Sequence, residues 1–492
     1  MSAKLWAIIW IVLALALALR LYGLTINNLW WDEIMSLEMS VGRGVADLRV
    51  PENQVINPPD ILSLNRAPPL TSVWAKASED AHPPLYDVML RLWRDVFGSS
   101  DAAIRMLSVV WSMGAVVGMY FVGRRAGGVW AGVWAMTLMA LNPSQIVYAF
   151  EARDYAMVVL EAVIAAYALL RCDEVGRIWP AVLALAVSAM LLTHYLAVPV
   201  VVGMAAYASI GLRGGARRRI LAAIGAGVLV FLACWGPWLG AVRQSREPFG
   251  FHDPNPEHHV LRTFARLAET PIVQLVGFRL ESDWSLFLLP VYFVIFVVTT
   301  WRHKKLLLWW FWAGGCVLAI TFVDLRTYGQ NMGHPRYTLL AGPAMILLVV
   351  LTTRGKWTTR LLPAAVALVS LFALPNAYVN WKGAWRPAAE NIDKLPSSVP
   401  LVITAAPLWQ GRPAIAYYNI DRYLRYWHGP VVLATHLPTA QVQKFLEERK
   451  AFLLIYDQPD DVKWFTGFRS MMIGGFDGVG IETYMVSKQN VK

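Results

Sequence analysis

The sequence predicts a polytopic α-helical membrane protein, and three observations carry that prediction. Apolar runs of about twenty residues recur from the N-terminus to about residue 376, each the length a helix needs to cross a bilayer. The chain is 57% hydrophobic and only 16% charged, against the roughly 25% charge of a soluble domain. Short loops rich in Lys and Arg alternate with longer, chemically mixed ones, as the positive-inside rule requires of a chain that crosses repeatedly.

The runs fall at 5–23, 103–123, 128–146, 153–171, 178–194, 196–212, 218–240, 283–300, 305–323, 337–353 and 359–376, about eleven spans. The first, "MSAKLWAIIWIVLALALALRLYGL", is too long for a cleavable signal and is followed by no small-residue cleavage site, so it reads as a permanent span. The 23 tryptophans gather toward the ends of the runs, where an indole anchors at the interface. "GRRAGG" (123–128), "RCDEVGR" (171–177), "RGGARRR" (213–219), "RHKK" (302–305) and "RGKWTTR" (354–360) all fall on one side, which the same rule makes cytoplasmic. These loops also absorb much of the net charge of +11, so the basic balance reflects topology and no nucleic-acid partner is expected. Cys172, Cys234 and Cys316 form no CxxC pair, which argues against a disulfide framework or a cysteine-based zinc site.

The other loops, 25–102, 143–155, 243–282 and 324–336, then face the periplasm or exterior. An odd number of spans places the tail there too. The expected domains are a membrane part, 1–376, that includes the large first loop 25–102, and a small C-terminal α/β domain, 377–492. In the tail, "PLVITAAP" and "AFLLIYD" read as buried strands and "PTAQVQKFLEERK" as an amphipathic helix. In the first loop, "WWDEIMSLEMSVG" and "HPPLYDVMLRLWRDVFG" have helical apolar spacing and suggest two short helices along the outer membrane surface.

Four polar clusters sit in these outer loops. Asp32 and Glu33 follow the first span, in "WWDE"; a plain helix cap is the simpler reading of that pair. Arg20 lies within that span, one turn below the interface, where it either snorkels or meets an anionic headgroup. "YAFEARDYAM" carries Glu151, Arg153 and Asp154, whose simpler reading is a local salt bridge. "THYL" carries His194, and "GHPRYTLL" carries Arg336 and Tyr337. All four share one side under a topology derived without them. Carboxylates there could take a proton from an attacking hydroxyl or amine, and arginines could stabilise charge growing on a departing phosphate. The transfer of a sugar from a lipid phosphate needs both. No P-loop or Rossmann glycine pattern is present, so a nucleotide donor is not expected. A transporter or flippase of lipid-linked sugars is the alternative, and Glu161, inside the fourth span, is its strongest mark.

At these residues the chain resembles bacterial glycosyltransferase family 39, relatives of the protein O-mannosyltransferases and lipid A aminoarabinose transferases within the GT-C superfamily. The resemblance runs through "NLWWDEIMS", "HPPLYDVMLRLW", "NPSQIVYAFEARDYAM" and "HPRYTLLAGPAM", from residue 1 to about 350. It implies a GT-C type fold in the cytoplasmic (inner) membrane, with a periplasmic active site. It also implies transfer, usually with inversion, of a hexosyl or pentosyl group from polyprenyl phosphate to a protein, lipid or glycan acceptor. Carried over, it makes Asp32, with Glu33 beside it, the catalytic candidate, and matches Glu151 and Asp154 to the second-loop acidic motif. Arg336 matches a phosphate contact, with Arg153 and Arg20 as further candidates; His82 and Tyr86 match a cavity motif, with His194 and Tyr337 alongside. The second loop reads "AFEARDY" where many relatives have "SQEAR-Y", so the motif does not fix the role of Asp154. Some superfamily members use a divalent metal. Others do not; the acids and histidines here could hold one, so a divalent metal is possible, though their spacing is no recognised signature.

Overall fold

The computed structural model describes residues 2–80, 82–174, 176–245, 256–280, 283–352, 361–379, 385–404, 413–434, 440–448, 451–456, 468–476 and 481–488. The basic loop 354–360 and part of the loop 243–282 lie outside the described residues. The chain divides into two compact units, Met1–Leu24 with Ala77–Val379, and Thr25–Lys76 with Asn380–Lys492.

The first unit is helical, and the described parts of the expected apolar runs fall mainly on helices, with the run 128–146 broken at Asn142. Six helices among the described residues are long and apolar enough to cross a membrane: Ala3–Tyr22, Asp101–Gly127, Gly214–Ala241, Trp284–Trp301, Lys304–Thr327 and Leu361–Tyr378. Four apolar helices are shorter: Val129–Leu141, Ile178–Thr193, Tyr195–Gly211 and Ala341–Thr352. Small residues set the closest approaches. A Cβ on Gly132 would lie 2.6 Å from the Tyr120 carbonyl oxygen, and one on Gly203 would lie 2.6 Å from that of Phe311. Helices whose flanks are apolar on every side associate in lipid by this backbone proximity, because no water is released to drive them together.

Helix Leu85–Phe97 turns its polar side inward. It buries Tyr86, Asp87, Leu90, Arg91 and Arg94 and leaves Leu92, Val96 and Phe97 exposed. An outward apolar face suits an interfacial helix whose outer surroundings are lipid. The other helix expected at the surface, Trp31–Val41, is buried from Glu33 to Val41. Its polar side, Glu33, Ser36 and Ser40, is buried along with the apolar one, and it packs on helices Leu70–Lys76 and Pro413–Asp421 of its own unit.

The second unit is built on a six-stranded sheet. Its strands are β1 (Val55–Ile56), β2 (Leu401–Thr404), β3 (Val431–Ala434), β4 (Ala451–Tyr456), β5 (Phe468–Phe476) and β6 (Ile481–Lys488), in the order β1-β3-β2-β4-β6-β5. β3, β2 and β4 are parallel, joined through helices Pro413–Asp421 and Ala440–Glu447, and the remaining pairs are antiparallel. β1 comes from the first loop and pairs Val55 with Val432. Residues 25–76 therefore cluster with the tail, whereas the sequence had grouped all of 25–102 with the membrane part. Backbone groups at the β3 edge need partners, and the first loop supplies them.

Candidate active site

Within the first unit, the ends of four helices bring the polar clusters together. His82 precedes helix Leu85–Phe97, Arg153 and Asp154 precede helix Tyr155–Arg171, and His194 follows helix Ile178–Thr193. Arg336 lies in the 3₁₀ turn Pro335–Thr338, ahead of helix Ala341–Thr352. Gln274 pins that turn, its Nε2 donating to the Pro335 carbonyl at 2.8 Å and to Thr338 Oγ1 at 2.9 Å.

His82 is held from both sides. Its Nδ1 lies 3.1 Å from Asp80 Oδ2, and Arg153 Nη2 lies 3.3 Å from its Nε2. Burial pushes the His82 imidazole down, but the Asp80 carboxylate outweighs it and the net displacement is upward. Arg153 is anchored at its backbone as well, where Ser108 Oγ donates to its carbonyl at 3.2 Å. Asp154 is 3% exposed, and its Oδ1 accepts no hydrogen bond among the described residues. A buried carboxylate oxygen left in that condition is costly, so the position invites a ligand or an acceptor proton.

His194 closes the cluster. Its ring meets that of His82 edge to face, with centroids 5.0 Å apart, and its Nδ1 accepts the Leu196 N–H at 3.0 Å. Burial is the main cause of its low pKa, about 4; Asp154 opposes that displacement, while His82, Arg153 and Arg336 add to it. The ring is therefore neutral, with its proton on Nε2. Arg336 thus exerts its charge on the same imidazole as Arg153 and Asp154. Its guanidinium lies over the Tyr337 ring, 5.1 Å from the centroid. Glu151 is buried; its charge and that of Arg336 both act on Tyr148, whose phenol is pushed up chiefly by burial. Tyr86 is buried and within electrostatic reach of Asp154 and Arg153.

The structure thus brings together His82, Arg153, Asp154 and His194; Tyr86 and Arg336 lie within electrostatic reach of them, and Tyr337 stacks beneath Arg336. Arg20 is placed otherwise. It is fully buried, with Nε donating to Ser112 Oγ at 2.8 Å and the Nη groups donating to the carbonyls of Ala16, Ala140 and Met139. A guanidinium has five N–H donors, and four of them are spent on three helices. Arg20 is a strut inside the helical unit, and the phosphate contact expected of it is corrected. Asp32 and Glu33 stand in the first turn of helix Trp31–Val41, in the second unit. Glu161 Oε1 accepts from Thr193 Oγ1 at 3.1 Å.

Two residues that the sequence reading passed over belong to the cluster. One is Asp80. The other is Asp87, whose carboxyl is pushed up to about 8 by burial and by the charge of Asp80, against the pull of Arg153 and His82. Their signal in the sequence was acids two residues before and five after the histidine of "HPPLYD".

His82, Asp154 and His194 offer one potential metal-ligand atom each, all within 4.8 Å of one another. In the observed arrangement three of their four ring nitrogens are engaged, the Nδ1 of His82 by Asp80. Arg153 faces the Nε2 of His82, and the Nδ1 of His194 accepts a backbone N–H, which leaves the other His194 nitrogen protonated. A cation held by these three residues would therefore need His82 or His194 to exchange one of those contacts.

The resemblance carried by the motifs is borne out by comparison with known proteins. The family model for dolichyl-phosphate-mannose-protein mannosyltransferase matches residues 81–239, which contain the His82, Arg153–Asp154 and His194 segments. No curated protein matches the chain by sequence. Among solved structures, ArnT from Cupriavidus metallidurans in the apo state aligns over 99% of this chain and 98% of its own, at 12% identity and a TM-score of 0.63. The same protein bound to undecaprenyl phosphate aligns over the same shares at 13% identity and a TM-score of 0.58. The Archaeoglobus fulgidus oligosaccharyltransferase tethered to an acceptor peptide aligns over 87% of this chain and 64% of its own, at 10% identity and a TM-score of 0.52. At such identities the likeness is one of fold.

Proposed function

We propose that this chain is an integral membrane glycosyltransferase that moves a sugar from a polyprenyl-phosphate donor to an acceptor at the outer face of the cytoplasmic membrane. The observation that carries the reading is the convergence of His82, Asp154 and His194, with ligand atoms all within 4.8 Å of one another, on an Arg153 guanidinium 3.3 Å from His82 Nε2, while Asp154 Oδ1 accepts no hydrogen bond among the described residues; Arg336 lies within electrostatic reach of the His194 imidazole. The matched family model and the ArnT-like fold support it, as does the undecaprenyl phosphate bound by ArnT. About eleven helices cross the bilayer in this reading. The basic loops lie inside, and the site and the C-terminal α/β domain lie outside.

The reaction is a displacement at the anomeric carbon. An acceptor hydroxyl or amine forms the new bond to that carbon and yields its proton to a carboxylate. The bond from carbon to phosphate oxygen breaks with its electron pair going to the phosphate, which leaves as polyprenyl phosphate. Arg336 and Arg153 hold that phosphate, since planar guanidinium donors match two oxygens at once. A phosphate leaves without prior protonation, so the base matters more than an acid. The candidates are Asp154, on its geometry, and Asp32 with Glu33, on the resemblance. His82, Tyr86, Glu151, His194 and Tyr337 shape the cavity.

The deciding experiment is mass spectrometry of polyprenyl-linked sugars and envelope glycans in cells with and without the gene. A single polyprenyl-phosphate sugar should accumulate, and one glycan should lose the matching residue. Unchanged pools of both would reject the proposal.

A further inference from the structure

The structure assigns to Asp80 a positioning role. By holding His82 at Nδ1, it turns the Nε2 lone pair onto Arg153 and sets the guanidinium before the donor arrives. This inference rests on the reading of Arg153 as a contact of the donor phosphate.

The two ends of the chain dictate its middle. Asp80 Oδ2, 3.1 Å from Nδ1, can only accept, so Nδ1 carries the proton. Arg153 Nη2, 3.3 Å from Nε2, can only donate, so Nε2 presents its lone pair. In the neutral ring, the form above its raised pKa, one tautomer satisfies both. With its hydrogens reversed, the ring would place an N–H against the guanidinium and a lone pair against the carboxylate. The side chains of Asp80 and His82 are 15% and 21% exposed, so water competes weakly for either bond. Arg153 is then fixed at both ends, by Ser108 Oγ on its carbonyl and by His82 on its guanidinium. An arginine ordered before binding loses less rotamer freedom when the ligand arrives. The effect therefore belongs to donor affinity, while the proton transfer proceeds elsewhere in the site. A cation on His82 would need the same lone pair, so it and Arg153 exclude each other there.

The test uses the full chain in lipid nanodiscs, with undecaprenyl phosphate as the binding probe. Asp80→Ala should weaken binding roughly tenfold, the scale of a charge-assisted hydrogen bond. It should raise the donor KM by a similar factor and leave kcat within about twofold. Asp80→Asn keeps an oxygen for the Nδ1 proton and should recover most of the loss. In an Arg153→Ala background, Asp80→Ala should cost nothing further. Losses that add in the double variant, or an asparagine no better than alanine, would overturn the proposal. The tautomer is read independently by ¹⁵N resonances of labelled histidine, with His82 assigned by its disappearance in His82→Gln. Nδ1–H with bare Nε2, lost in Asp80→Ala, is the expected result; Nε2–H at His82 in the parent protein overturns the relay whatever ligand binds. If the folded parent binds no polyprenyl phosphate but shows the expected tautomer, the donor reading fails and the hydrogen-bond relay stands.

Discussion

Arg20 gives its Nε hydrogen to Ser112 Oγ at 2.8 Å, one arginine inside the first apolar helix bonded to one serine inside the long helix Asp101–Gly127. Its Nη groups reach carbonyls of its own helix and of helix Val129–Leu141. Arg20→Met should cost about 2–4 kcal/mol, since it leaves Ser112 and buried carbonyls unpaired. It should lower the unfolding temperature and leave the donor KM of the folded fraction unchanged. A raised donor KM at unchanged stability would return Arg20 to the phosphate site.

Asp154→Asn keeps the shape of the side chain and removes the base. Loss of a general base costs at least about a hundredfold in kcat, with expression and polyprenyl-phosphate binding intact. Asp32→Asn should give the same result if the first-loop acid is the base. The variant that transfers sugar at the parent rate identifies the acid that is not used, and the parent rate in both would exclude a carboxylate base at either position.

Arg336→Ala should raise the donor KM roughly ten- to hundredfold, the scale of charge-assisted bonds to a phosphate. Arg336→Lys should recover only part, because an ammonium cannot present paired planar donors. Steady-state kinetics with a synthetic polyprenyl-phosphate sugar measure both. An unaltered KM would exclude contact with the phosphate.

Chelation should leave transfer unchanged, because Arg153 occupies the side of His82 that a cation would use. Activity lost in excess EDTA and restored by a single divalent ion would instead assign His82, Asp154 and His194 as its ligands. Binding of that ion, followed by calorimetry, would then weaken in His194→Ala.

Asp87 gives a pH dependence of stability. Its carboxyl titrates at about 8 in the folded chain against 3.8 unperturbed. Between those values the folded chain holds a proton that the unfolded chain has lost, so the unfolding free energy falls as pH rises through this window and levels off above it. Asp87→Asn should flatten this part of the profile. Thermal unfolding from pH 4 to 9 measures the difference, and parallel profiles for parent and variant would show that Asp87 is ionised when folded.

Much of the site was legible in advance because its residues stand beside strong local signals. His82 sits before a proline-led amphipathic helix, Asp154 at the mouth of an apolar run and His194 at the end of another. Asp80 was overlooked because its importance lies in a tautomer, which follows from the contact of Arg153 with His82 across 71 positions. The inward side of helix Leu85–Phe97 was equally hidden. Periodicity finds an apolar stripe but does not say whether protein or lipid covers it, and here Leu92 and Val96 face outward while Asp87 and Arg91 are buried.

The sequence by itself determined the helical membrane class, the positions of the apolar helices and the loops that carry charge. Those features are local sums over about twenty residues, and hydrophobic length and loop charge fix them without reference to distant parts of the chain. Tertiary structure alone decided which charges are structural and which are poised. Arg20 is satisfied by three helices, Asp154 keeps one oxygen without a partner among the described residues, and Val55 of the first loop pairs with Val432 of the tail. Whether a buried polar group is spent or available depends on which donors and acceptors reach it, and those arrive from parts of the chain that no local pattern connects.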